Sequence, residues 1–176
     1  PLELNGIEKV TLITERFNQF FDNKYPKIIG NLIFYWGYRE EGTETWFSIF
    51  TQYGMKTATY YAMKSIWQNH EHSDWSINTL DLLLDDKMMS DTLIYRTGQL
   101  VKAKISMESA FDYTEFSYHW QILPEGVSDQ TLITYQLDFE EYLKDDTSVP
   151  QLEFTIDMEE GPYRLYAYIN SGDSIS

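Results

Sequence analysis

The sequence predicts an α+β fold, a short α/β segment followed by an antiparallel β-sandwich, with the change falling near residue 72. Three observations predict it. Apolar residues recur at steps of three and four in two stretches of the first 68 residues, which is the signature of amphipathic helices. Between those stretches lies an unbroken apolar run, Leu32 to Trp36, closed by Gly37. After residue 80 the pattern turns to short runs of period two, separated by Gly, Pro, Asp and Ser.

Residues 8–22 (EKVTLITERFNQFFD) place Val10, Ile13, Phe17, Phe20 and Phe21 on one helical face. This helix is expected to stop before Pro26, because the residue preceding a proline avoids the α region. Leu32–Trp36 reads as a short strand buried on both faces, as in a parallel sheet. A polar loop with Gly42 follows, and Trp46–Phe50 reads as a short strand or turn. A second helix is expected over residues 56–68, with Thr57 as its N-cap and Ala58, Tyr61, Ala62, Ile66 and Trp67 on its apolar side. Residues 69–79 read as a polar linker. The expected domains are therefore 1–70 and 80–176, with a linker at 71–79.

In the second part, strands are expected at 80–84, 92–95, 100–107, 116–122, 152–156 and 163–169. Alternation puts Val101, Ala103, Ile105 and Met107 on one face. It does the same for Phe116, Tyr118, Trp120 and Ile122, and for Tyr163, Leu165, Ala167 and Ile169. His119 falls on the opposite, exposed side of its strand, and residues 137–143 read as a helical turn or a crossing loop.

Composition excludes several classes of function. Asp and Glu total 28 against 13 Lys and Arg, so the net charge of -15 repels phosphate backbones and anionic membrane surfaces. Nucleic acid is therefore not expected as a partner. No apolar run approaches the roughly 18 residues needed to span a bilayer, so no membrane insertion is expected. With no cysteine there are no disulfides and no thiolate metal sites. His70 and His72 lack a third ligand on a rigid scaffold, and the Asp pairs at 85–86 and 145–146 lack calcium-loop spacing and read as solvated turns. No metal or other cofactor is expected. The chain starts at Pro1, which reads as a processed or excised piece.

The stretch from Gly30 to Trp67 carries Trp36-Gly37, then Thr43-Glu44-Thr45-Trp46-Phe47, then Gly54 ahead of a helix. Farther on come Tyr118-His119-Trp120 and Gly161-Pro162-Tyr163-Arg164-Leu165. In this order and spacing the sequence resembles bacterial glycoside-hydrolase-like TIM-barrel proteins, in which the last β/α unit of the barrel is followed by an immunoglobulin-like or PKD-like sandwich. It departs from them at Phe111–Glu115, where those proteins carry an Asp-Pro-Asp-Gly-like turn. Those proteins also carry a further strand after the Arg-Leu strand, whereas the sequence here stops at Ser176.

The resemblance implies an extracellular or cell-surface protein that is truncated at both ends. A glycosidase needs two carboxylates flanking the scissile bond, and in the resembling proteins these come from earlier barrel strands. No catalytic residue is assigned here, and the chain alone is expected to be inactive. The implied substrate-binding residues are Trp36, at the end of the last strand, with Arg39 and Glu40 in the loop beyond it, and Trp46. Two readings stay open for each. Trp36 stacks on a sugar ring or closes a core; Arg39 and Glu40 bind hydroxyls or are merely solvated; Trp46 reads more readily as core.

Two functions follow. The first is the C-terminal portion of a glycoside hydrolase-like protein that acts on or binds polysaccharide. The second is a non-catalytic carbohydrate-binding, spacer or adhesion module. The expected partners are a carbohydrate and either the remainder of the parent protein or a second copy, met through the N-terminal segment.

Overall fold

The computed structural model describes residues 4–21, 27, 30, 32, 36–38, 45, 48–51, 53–69, 79–88, 92–107, 116–124, 144–147, 149–172 and 174–175. They form two helices and two small antiparallel sheets, an α+β arrangement. The chain divides into two compact units: residues 1–79 with 171–176, and residues 80–170. The expected division kept everything after residue 80 together, whereas the structure groups the C-terminal residues with the first unit.

In the first unit, α1 spans Gly6–Phe21 and α2 spans Ala58–Gln68, and the two pack together. Helix α1 starts two residues earlier than expected because Asn5 caps it. The Asn5 side chain accepts the Glu8 N–H at 2.9 Å, and Glu8 returns a carboxylate oxygen to the Asn5 N–H at 2.8 Å. This reciprocal box satisfies two of the donors that a helix N-terminus leaves bare. The expected apolar face is only partly covered. Val10, Ile13, Phe17 and Phe21 are half-buried and Phe20 is exposed, with Phe17 and Phe21 stacked at 4.7 Å.

Helix α2 buries Ala58, Tyr61, Ala62 and Met63. It ends at Asn69, which adopts a left-handed backbone (φ 48°) and donates its N–H back to the Ile66 carbonyl. Thr57 holds the N-cap position, but its side chain makes no capping bond. Its buried hydroxyl instead donates to the Ser48 carbonyl at 2.8 Å, with the Ile49 carbonyl at 3.0 Å.

The strand expected at 32–36 is absent at both of its described ends. Leu32 is 99% exposed and lies outside any strand, and Trp36 lies in a bend. Residues 33–35 are outside the described residues. Phe50 forms an isolated bridge with Lys56, in keeping with a short strand or turn there.

In the second unit, one sheet has the order β2-β1-β3-β6, from β1 (Thr79–Leu84), β2 (Lys87–Met88), β3 (Leu100–Met107) and β6 (Gln151–Thr155). The other contains β5 (Lys144–Thr147), β4 (Ser117–Pro124) and β7 (Tyr163–Ser171), with β4 in the middle. Each sheet has one buried face, set by the period-two alternation of its strands. Val101, Ala103, Ile105 and Leu152 are buried in the first; Phe116, Tyr118, Trp120, Ile122, Leu165 and Ile169 are buried in the second. The register pairs Tyr118 with Ile169, Trp120 with Ala167 and Ile122 with Leu165, so apolar side chains meet across strands. His119 lies on the other face, half-buried, its ring stacked on that of Tyr168 at 6.0 Å.

Lys102 and Glu153, paired in register on the exposed side of β3 and β6, form an ion pair at 2.8 Å. The Glu153 hydrogen bond raises the Lys102 pKa, but the pair is open to solvent and contributes little to stability. The β1–β2 hairpin turns through Asp85 and Asp86, both at positive φ, as a two-residue type I′ turn requires. Nearby, burial first and the Asp85 charge second push the Tyr95 phenol upward in pKa.

The expected strand at 92–95 is not formed. Its alternation persists, with Leu93 and Tyr95 half-buried and Thr92 and Ile94 exposed, but no described strand pairs with it. Residues 137–143 lie outside the described residues. Among the described residues, no helix is long and apolar enough to cross a membrane.

Candidate functional site

The first unit presents a cluster of aromatic rings around Trp36. Its position is set by the backbone. Gly37 follows Trp36 at φ 120°, a conformation that side-chain-bearing residues seldom adopt. The Gly37 carbonyl accepts N–H bonds from Ile49 at 3.2 Å and Phe50 at 3.4 Å, which ties the bend at Trp36 to the segment before α2. Ile49 is fully buried, and its own carbonyl accepts the Thr57 N–H at 3.1 Å. One chain of bonds thus runs from Gly37 through Ile49 to the start of α2.

The side chains follow from this frame. The Trp36 ring meets Phe50 edge-on at 5.7 Å and lies near-parallel to Trp67, with centroids 6.0 Å apart and planes 28° apart. Phe50 touches Tyr60 at 5.4 Å, and Tyr60 meets Tyr61 edge-on at 5.1 Å. Tyr60 and Trp67 come from the same helix, seven positions apart, so both rise on one side of α2. The Lys56 ammonium sits 5.6 Å from the centre of the Tyr60 ring.

Exposure separates the cluster into a base and a surface. Tyr61 is buried, Phe50 and Tyr60 are half-buried, and Trp36 and Trp67 are 61% and 52% exposed. Two indoles held on an aromatic base and facing solvent form a rigid, apolar, π-rich surface. Aromatic rings held in this way are suited to stacking on flat apolar groups. They lose little side-chain entropy on binding, because packing has already restricted them.

The turn beyond Phe50 is also fixed. The Thr51 hydroxyl accepts the N–H groups of Tyr53 and Met55, and Gly54 takes φ 80°. Tyr53 is thereby carried out into solvent, 79% exposed. Lys9 of α1 donates to the Thr45 carbonyl at 3.0 Å, which anchors the loop that leads toward Ile49.

Of the residues expected to bind substrate, Trp36 is exposed within this cluster, while Arg39, Glu40 and Trp46 lie outside the described residues. Sequence reasoning placed Trp67 on the inward side of α2. The structure turns it outward, onto Trp36. Among the described residues, no group of three metal-ligating side chains comes together. No protein-family model matches this chain, and no curated protein shows significant similarity to it.

Proposed function

We propose that this chain is a carbohydrate-binding C-terminal portion of a glycoside hydrolase-like protein, itself without the catalytic carboxylate pair. The observation that carries the reading is the pair of exposed, near-parallel indoles at Trp36 and Trp67. An acidic chain gains nothing in folding from leaving two Trp rings in water, since burying an aromatic of that size is strongly favourable. Their retention at a surface fits a ligand that stacks on them.

The sequence resemblance supplies the rest of the reading. In resembling barrels a Trp closes the last strand at the rim of the mouth, and the Trp36-Gly37 pair matches that motif in sequence, while Trp36 itself lies in a bend. The second unit is read as the immunoglobulin-like sandwich that follows such barrels. Its two antiparallel sheets with one buried face each support that reading. The exposed Leu32 and the partly covered apolar side of α1 support a missing neighbour, supplied by the parent protein or by another copy. The setting is extracellular or at the cell surface.

A soluble-glycan panel tested by calorimetry against the purified chain, together with a reducing-sugar assay, examines the proposal. Binding to at least one oligosaccharide without any release of reducing ends is the expected result. Hydrolysis by the chain alone removes the non-catalytic part of the reading. Absence of binding across plant, fungal and bacterial cell-wall glycans leaves the spacer or adhesion module as the better account.

A further inference from the structure

The second unit carries a group of aromatic rings on the outer face of β4 and β7. Tyr118 and Trp120 of β4, with Leu165 and Ile169 of β7, take the buried face. Alternation therefore puts Ser117, His119 and Gln121 of β4, and Arg164, Tyr166 and Tyr168 of β7, on the opposite one. The antiparallel register sets His119 across from Tyr168 and Gln121 across from Tyr166. The rings follow that register. His119 and Tyr168 meet across the strands, 6.0 Å apart with planes 25° apart. Tyr168 and Tyr166 neighbour each other along β7, 6.4 Å apart with planes 15° apart.

Ring pairs of this kind steady a sheet, and they also make a stiff surface. All three rings are half-buried, so each keeps part of its surface open. They sit on adjacent strands of one sheet, which fixes their spacing. Among the described residues of this face there is no aliphatic side chain. The other positions supply an amide at Gln121 and a guanidinium at Arg164, two residues from Tyr166 on the same strand. The fitting ligand therefore has flat apolar faces for the rings and a polar rim for the amide and guanidinium. Nucleobases have both, but the charge of -15 repels their phosphates. A neutral pyranose has both without the charge, as C–H faces ringed by hydroxyls.

We infer that this face of β4 and β7 is a second saccharide-binding surface, one that takes a neutral chain of at least two pyranose rings. Tyr166 and Tyr168 each stack one ring of the chain. His119 flanks the position at Tyr168. Gln121 and Arg164 hydrogen-bond to the hydroxyl rim beside Tyr166. The surface lies wholly within residues 80–170 and shares no side chain with the indole pair at Trp36 and Trp67. It extends the carbohydrate reading to the other unit and rests on different rings.

The test uses the full chain and neutral β-1,4-linked hexasaccharides of glucose, xylose and N-acetylglucosamine. Each is titrated while the imidazole proton signals of the three histidines are followed by NMR. The His119 signals are expected to shift with at least one sugar, in the wild type and equally in a chain carrying both Trp36→Ala and Trp67→Ala. Tyr168→Leu keeps apolar bulk without the ring and is expected to weaken that binding by about tenfold, whereas Tyr168→Phe stays within about twofold of the wild type. Should Tyr168→Leu fail to fold, Tyr166→Leu and Tyr166→Phe make the same comparison, and the His119 readout in the wild type stands without either. His119 signals that no sugar moves overturn the proposal, as does equal binding by the leucine and phenylalanine variants. So do His119 shifts that grow with protein concentration when no sugar is present, since a second copy then covers the face. Binding that disappears in the doubly substituted chain while His119 never moves overturns this surface alone and leaves the indole pair as the site.

Discussion

Thr57 shows how one side chain can be assigned the right place and the wrong task. Its position before α2 and its extended backbone are those of an N-cap, yet its hydroxyl bonds to the carbonyls at Ser48 and Ile49. It therefore fastens α2 to the segment that carries Phe50 and, through Gly37, Trp36. Replacing it by valine keeps the shape and leaves two buried carbonyls with one donor fewer. The expected loss is about 1–2 kcal/mol by thermal or chemical unfolding, with Thr57→Ser much milder. A Thr57→Val chain as stable as the wild type would mean that the hydroxyl does not hold this segment. The sequence could not foretell the switch, because serine and threonine accept from helix N–H groups and donate to carbonyls equally well. Trp67 was misplaced for a related reason. Helical periodicity identifies an apolar side but does not say whether its last residue still meets the core at the helix end. Asn5 and Glu8 are the opposite case. The box they form was written in the sequence as Asn-x-x-Glu, ahead of the apolar spacing on which the helix boundary was drawn.

Among the elements, those that bury an alternating face were the legible ones. β3, β4 and β7 lie where the period-two runs predict them, and Val101, Ala103, Ile105, Tyr118, Trp120 and Ile169 are buried as the alternation requires. Strands too short to show a period left no such trace. β2 spans only Lys87–Met88, β5 reads Lys-Asp-Asp-Thr, and β8 spans Ser174–Ile175. They exist because a neighbouring strand offers its backbone groups. β2 also depends on a turn that Asp85 and Asp86 form at positive φ, where glycine is favoured. Asp86→Gly is expected to stabilise the second unit by about 0.5–1 kcal/mol, because it relieves a left-handed aspartate, at some cost in unfolded-state entropy, and removes one charge from a strongly acidic chain. Chemical denaturation followed by fluorescence measures it, and a loss of stability of that size would contradict the type I′ assignment.

At the scale of the whole molecule, the chain divides into residues 1–79 with 171–176 and residues 80–170, a grouping of the last residues that local periodicity does not encode. Ser174 and Ile175 are too few to carry a pattern, and long-range pairing is not encoded in local spacing. The acidic charge of -15 favours separate molecules, while Leu32, Phe20 and the Trp36–Trp67 surface favour contact. We expect contact to win when salt screens the charge. Sedimentation velocity should show monomer at low salt and reversible association at high salt. A strictly monomeric chain at every salt concentration would remove the missing-neighbour part of the reading.

The central question is whether the paired indoles are a sugar platform. Isothermal titration of the best-binding oligosaccharide into the wild type, Trp36→Ala and Trp67→Ala decides it. Each substitution is predicted to weaken binding by about tenfold, the worth of one aromatic stacking contact, while the amide-exchange protection of α2 and β4 is kept. Unchanged affinity in both folded variants would contradict the claim.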